Sequence, residues 1–365
     1  MKRIVTMLIA VSLLLCACGG NADTTPSTNE TTEATTEATT EATTEATTEA
    51  TDPPVLYRHP LTGEPLDEPF TGRATAVVIN NIEACLPQYG ISEAEMFYEI
   101  ETEGGITRCL AVYTDLTNAS QIGPVRSART YFNNIAASYN APLIHCGGSN
   151  PALNGMYDDT STLSSWAHID QTYNGSYFFR DTDRYNYQGY NWEHTLFTTG
   201  EDLLTGLADK GFETSYEEAT DYGLQFAEEI ALSGDAANEI TITFRGRKTT
   251  TMTYNAETGL YEASQYGEAH VDEATGETMA YRNVLVLHAE QWFIRDNKYS
   301  RSYYDLIGSG NGYFACNGQI IPIQWSRDSV TEQFSYTLAD GTPLTLGVGT
   351  SYVGIIATTG SVDCE

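Results

Sequence analysis

Arg126 and Arg129 stand three residues apart in IGPVRSAR (122–129), directly after a Gly-Pro pair, in a chain with 18 basic residues against 49 acidic ones. Pro124 suits the first turn of a helix. Val125, Ala128, Phe132, Ile135 and Tyr139 recur at helical spacing, so the pattern predicts a helix from Val125. A helix N-terminus presents free N–H groups and a partial positive charge. Two guanidiniums on one face of that end favour an anion among them, whether carboxylate, phosphate or sulfate. Internal pairing with the abundant acids accounts for them as well, because Arg is the usual cation of such pairs.

Further polar groups can converge on the same edge. IHCGGS (144–149) puts His145 at a strand end, followed by the turn Gly147, Gly148, Ser149, whose successive N–H groups can cradle an oxyanion. Open α/β sheets bind ligands at strand carboxyl ends. GGITR (104–108) sets Arg108 at the start of a strand, FFRDTDR (178–184) supplies Arg180 and Arg184, and NWEHTLF (191–197) supplies His194. Candidate acids or bases are Glu103, His145 and His194. Glu99 and Glu103, four residues apart, are a candidate carboxylate pair or metal site and equally a solvated edge. A lone histidine or a single GGS also fits a purely structural role. The sequence carries no GxSxG, HExxH, GxxxxGK[ST] or EF-hand pattern, and no nucleophile stands out.

Elements to hold these groups are readable from residue 74 onward. TAVVIN (75–80), TRCLAVYTD (107–115) and APLIHC (141–146) read as strands. ISEAEMFYEIETEGG reads as a helix start, with Ser92 and Glu95 spaced as a capping box. TTGEDLLTGLADKG is a second capped helix, closed by Gly211. Strands separated by helices predict an α/β layered domain over residues 57–211. Residues 212–237 read as an acidic, partly helical connector. From 238 to 365, short β-rich runs such as ITITF, VLVLHAEQWF and SYVGIIA are divided by turn residues, which predicts a mostly antiparallel β domain. The fold class expected is α+β overall.

The chain opens on a basic head, Lys2-Arg3, and a run from Ile4 to Leu15 that is too short to span a bilayer but has the form of a secretory leader. Leu15-Cys16-Ala17-Cys18 fits a lipoprotein cleavage box, so residues 1–17 are expected to be removed and Cys18 to carry the lipid. Residues 18–56 contain five TTEA repeats (31–50) with almost nothing apolar to bury, and read as a disordered tether. About 35 residues reach roughly 120 Å when fully extended. A formal net charge of −31 argues against nucleic acid and anionic lipid as partners. Five cysteines follow the anchor: Cys85, Cys109, Cys146, Cys316 and Cys364. The odd number leaves at least one unpaired within the chain. Cys316 with Cys364 is the pair expected to clasp the C-terminal part.

The runs SEAEMFYEIETEGGITRCLAVY, IGPVRSARTYF, IHCGGS, FRDTDR and EHTLF resemble the YerB-like lipoprotein family, and DLIGSGNGYFACNGQIIPIQWSR resembles its second domain. The resemblance covers nearly everything after residue 57. It implies a membrane-anchored extracytoplasmic protein of a Gram-positive bacterium, held at the outer face of the cytoplasmic membrane, whose domains have no settled activity. The reading that follows is a tethered protein binding an anionic cell-envelope ligand, a glycan or phosphate group. One alternative is a transferase or hydrolase for a phosphate-linked envelope polymer, similar to the LytR-CpsA-Psr phosphotransferases by fold analogy, in which Glu103 holds Mg2+. Another is a scaffold for an envelope protein partner. Outside the phosphotransfer alternative no cofactor is implied.

Overall fold

The computed structural model describes residues 57–157, 167–245, 248–296 and 298–365. The leader, Cys18 and the tether lie outside the described residues. Among the described residues the N-terminal part supplies five strands to the large sheet: β1 (Thr75–Asn81), β2 (Met96–Glu101), β3 (Thr107–Tyr113), β4 (Leu143–His145) and β5 (His168–Asp170). It also holds four helices: α1 (Thr130–Ser138), α2 (Asn150–Tyr157), α3 (Thr182–Tyr187) and α4 (Gly200–Asp209). The C-terminal part is built almost wholly of strands. Those used below are β6 (Glu239–Thr243), β7 (Thr249–Asn255), β8 (Leu260–Gln265), β9 (Asn283–Ala289), β10 (Gln291–Asp296), β11 (Tyr299–Tyr304), β12 (Gly308–Cys316), β13 (Gln319–Arg327), β14 (Ser351–Ala357) and β15 (Ser361–Cys364). The class is α+β, with a mixed sheet and helices first and mainly antiparallel strands after.

One eleven-stranded sheet runs through both parts; from an edge strand at Asp235–Ala236 its main path continues in the order β13-β12-β9-β14-β2-β3-β1-β4-β5, and Ser335–Thr337 pairs with β13 off that path. The join is between β14 and β2, which pair in parallel from Ser351 opposite Met96 to Ile355 opposite Ile100. Its inner strands are covered on both faces, which is why β1, β2, β3 and β14 are buried at every position. On one face, Val78, Tyr98 and Leu110 pack with Tyr131, Phe132 and Ile135 of α1. On the other, Val77, Phe97 and Ala111 pack with Leu203 and Leu207 of α4 and with Ile240, Ile242 and Met252 of a six-stranded sheet built on β15-β6-β7-β8.

Four local expectations are corrected. Residues 96–101 form a strand, not a helix, because all six are buried between β3 and β14. The capping-box residues are engaged elsewhere: Glu95 accepts from the Thr114 N–H and hydroxyl, and Ser92 donates to Asp272 at 2.7 Å. Long-range pairing here overrides a local helix signal. Helix α1 begins at Thr130, five residues beyond the expected start, with Arg129 at its N-cap. Pro124 to Arg126 instead run beside β1, where Asn80 N–H donates to Pro124 C=O and Arg126 N–H to Val78 C=O, both at 2.8 Å. The connector 212–237 holds no helix; its Gln225–Ala227 pairs in parallel with Thr345–Gly347. The clasp is also absent: Cys316 is buried, Cys364 is exposed, and all five cysteines are free thiols. Helix α4 matches its reading, with the Thr199 hydroxyl accepting from Asp202 N–H at 3.0 Å.

A buried polar seam ties the smaller sheet to the large one. Glu99 of β2 accepts from Asn81 (2.9 Å), Thr107 (2.6 Å), Thr250 (2.7 Å) and Tyr352 (2.8 Å), and pairs with Lys248 Nζ at 3.2 Å. Burial alone would raise the Glu99 carboxyl; the Lys248 charge and the hydroxyl donors outweigh it and hold it below its usual range. Lys248→Met should destabilise the protein by about 3–5 kcal/mol, because it strands a buried carboxylate. The double variant with Glu99→Gln should recover most of that loss. Denaturant unfolding of wild type and the variants checks this, and an unaltered single variant would show that the pair contributes nothing.

Candidate anion site

Where β1 and β4 separate, the segment Pro124–Ala128 fills the gap. Ile79 bridges Val125, Cys146 N–H donates to Arg126 C=O at 3.0 Å, and Ala128 N–H donates to Gly147 C=O at 2.9 Å. The strand-like path of this segment puts Arg126 beside the ends of β1 and β4. Arg108 arrives from β3, opposite Asn80 of β1. Its neighbours Leu110 and Val112 lie on the α1 side of the sheet, and strand alternation places Arg108 there too.

Arg108 is 6% exposed, yet among the described residues its one hydrogen bond is Nη1 to Ser127 C=O at 2.8 Å, and its buried Nε has no partner. A guanidinium has five N–H donors. No carboxylate lies within ion-pair distance of it among the described residues. Burial, then the like charges of Arg129 and Arg126, push the Arg108 pKa down to about 9. Arg126 gives one bond, Nη2 to Glu193 Oε2 at 2.8 Å, and its Nε is likewise buried without a partner. Arg180 donates to Trp192 C=O at 2.6 Å and lies 5.0 Å over the Trp192 ring. Burial, the first cause, raises the half-buried Cys146 thiol, while Arg180, Arg126 and Arg108 all pull it down. The charges of three guanidiniums are therefore felt at Cys146, a residue the sequence did not single out.

The other candidates divide differently. Arg129 is saturated: Nε and Nη2 hold Glu103 at 2.8 and 2.7 Å, and Nη1 donates to Ala128 C=O at 2.7 Å. It and Arg126 do not share a helix face, since Arg126 precedes α1. Glu103 also meets Arg301 of the β10–β11 hairpin at 3.4 Å. Burial alone would raise its carboxyl, but Arg129 above all, with Arg108 and Arg301, holds it low. Glu99 and Glu103 thus sit in separate surroundings, each neutralised by side-chain cations. Among the described residues no group of three or more His, Cys, Asp or Glu side chains is arranged to hold a metal ion.

His145 is fully buried, with Nδ1 2.8 Å from Gly147 C=O and Nε2 3.1 Å from His168 Nδ1. His194 is buried too, and its Nδ1 lies 3.0 Å from Asn80 Nδ2. Burial lowers both histidines. The glycine turn serves packing. Gly147 has φ +60°, a Cβ at Gly148 would lie 3.1 Å from Leu153, and the Ser149 hydroxyl accepts from Ala152 N–H at the start of α2. Arg184 pins its segment to the loop at Cys85–Pro87. It is 1% exposed, donates to the Cys85 and Pro87 carbonyls at 2.8 and 3.3 Å, and lies 4.1 Å over Tyr190. Sequence reading missed Ser127, Cys146, Trp192 and Glu193. Glu193 carried a faint signal as the acid beside His194; the others depend on how the chain returns.

Comparison with known proteins identifies the family. A family model described as "Protein of unknown function (DUF3048) N-terminal domain" matches residues 61–213, and the model for the corresponding C-terminal domain matches residues 240–353. The chain belongs to the DUF3048 family. It is 26% identical over 273 residues to the "Putative lipoprotein YerB" of Bacillus subtilis (strain 168), covering 73% of this chain and 77% of that one. The crystal structure of YerB protein from Bacillus subtilis has the same fold, with a TM-score of 0.70 and 24% identity, covering 84% of this chain and 99% of that chain. The two DUF3048 domain matches fall on either side of residue 238, and strands from both enter the one large sheet.

Two outcomes are expected. Glu103→Gln should cost about 3 kcal/mol in denaturant unfolding, because Arg129, with 4% of its side chain exposed, loses its counter-charge; a neutral result would mean that Arg301 and the carbonyls suffice. Burial, then the charge of His145, pushes His168 from 6.5 down to about 4. The fold favours the neutral ring, so this stability is complete above pH 6.5 and is lost as pH falls towards 4. His168→Gln should flatten the thermal midpoint across that window, and an unchanged slope would refute the assignment.

Proposed function

We propose that the protein is a lipid-anchored lipoprotein on the outer face of the cytoplasmic membrane that binds an anionic envelope ligand at Arg108, Arg126 and Arg180. Anchorage rests on the leader and Cys18, and is supported by the name of the Bacillus relative. Binding rests on one observation: Arg108 is buried beside two like charges with most of its donors unused. Such an arrangement is costly unless an anion relieves it. A phosphate or carboxylate accepting from Arg108 and Arg126 would supply the missing acceptors in charge-assisted hydrogen bonds. Glu193 then acts as the internal competitor for Arg126 (its side chain is 54% exposed, so it can swing away).

The transfer reading gains no support here. Both candidate histidines are buried with ring nitrogens engaged, and Glu103 is held by Arg129 and Arg301.

Calorimetric titration of the purified protein with inorganic phosphate and with galacturonate tests the proposal. Saturable binding is expected for at least one of them. Arg108→Gln should weaken it tenfold or more, and Glu193→Gln should strengthen it several-fold, since a hydrogen bond to a charged group contributes about 1.5–3 kcal/mol. Absence of saturable binding by the wild type, or equal affinity in all three proteins, would refute the site.

A further inference from the structure

Between Tyr173 and Trp192 the chain holds eight aromatic residues and not one Ala, Val, Ile, Leu or Met. Several of these rings face solvent: Tyr187 is 82% exposed, and Tyr185 and Trp192 are each 49% exposed. They are neither scattered nor loosely held. Tyr185 meets Trp192 edge-to-face at 5.3 Å, and Arg180 lies 5.0 Å over the Trp192 ring. Arg184, buried beneath, fixes the segment by its two carbonyl bonds, and the Tyr190 hydroxyl adds a third, to Leu86 C=O at 2.6 Å. Exposed rings on a pinned segment lose little freedom when something stacks on them. Exposed amides from Asn186, Gln188 and Asn191 lie between the rings in sequence.

This shelf is continuous with the arginine cluster. Arg180 touches Trp192 and acts electrostatically on Arg126, and Arg126 pairs with Glu193, the residue next to Trp192. We infer that the ligand is a glycan bearing phosphate or carboxylate groups, with its anionic group on Arg108 and Arg126 and its sugar rings stacked on Trp192, Tyr185 and Tyr187. The inference rests on the anion-binding reading above. A pyranose offers an apolar C–H face and a rim of hydroxyls. Aromatic rings with negative π faces suit the first, and amides and guanidiniums suit the second. The exposed amides between the rings and their continuity with the arginine cluster suit the hydroxyl rim and charge of such a sugar, and an anion alone would leave the rings without a role.

The test uses the mature full chain, its Tyr185→Ala, Tyr187→Ala double variant, and four probes: inorganic phosphate, glucose 6-phosphate, tetragalacturonate and neutral cellotetraose. At least one of the two anionic saccharides should bind tenfold or more tighter than phosphate, and the double variant should lose that advantage with its phosphate affinity and thermal midpoint unchanged. Phosphate binding with no saccharide advantage overturns the shelf and leaves the anion site standing. No binding of any probe overturns both. Cellotetraose binding as tightly as the anionic sugars overturns the assignment of charge. Retention of the saccharide advantage by the double variant, or ring-dependent capture of an envelope protein without saccharide binding, overturns the stacking role.

Discussion

The parallel pairing of β2 with β14 makes one body of what the sequence presents as two. Glu99 sits on β2 at this join and must be desolvated by it, since both flanking strands and the smaller sheet close over the carboxylate. Its five partners come from β1, β3, β7, β14 and the turn bearing Lys248. A buried ion pair of this kind adds little net stability over an apolar replacement, but it strongly penalises any arrangement that leaves one charge alone. Gly90 and Ser92 N–H groups on Asp272, each at 2.8 Å, add a second tie across the same seam. The seam therefore selects one register between the large sheet and the small one.

That rigidity has a consequence at the opposite face. Arg108 lies on β3 next to Thr107, whose hydroxyl binds Glu99. Adjacent residues of a strand point to opposite sides, so one side of β3 closes the seam while the other carries an under-satisfied guanidinium. The charges are treated differently on the two sides. Glu99 and Lys248 neutralise each other and have abundant donors and acceptors. Arg126 repels both Arg108 and Arg180, and the three lean on single carbonyls or one exposed acid. The fold satisfies one buried charge thoroughly and leaves another with an unpartnered donor.

Strands with both faces covered were readable because burial writes a continuous apolar run, as in TAVVIN and TRCLAVY, and α4 was readable from its Thr cap and closing glycine. MFYEIE was not. Its apolar residues suit a strand, but Ser92 and Glu95 gave a local helix signal, and Asp272 and Thr114, which engage them, lie 180 and 19 residues away. The helix start at Thr130 was missed for a related reason: Val125 is periodic with Phe132, but its N–H is taken by Leu196 C=O at 2.8 Å.

By itself the sequence determined the α+β order of elements, the net acidity of the chain, and the short list of arginines and histidines from which any site had to be drawn. Those properties are local or additive, so they survive without coordinates. Which of the arginines stay open was decided only by tertiary structure. Arg126 and Arg129 are equivalent in sequence, three apart and each followed by a small or hydroxyl-bearing residue. Arg129 meets Glu103 in bidentate geometry, whereas Arg126 meets one exposed carboxylate and two like charges. An ion pair depends on atoms within a few ångströms, and those distances are set by segments that the chain brings back from far along its length.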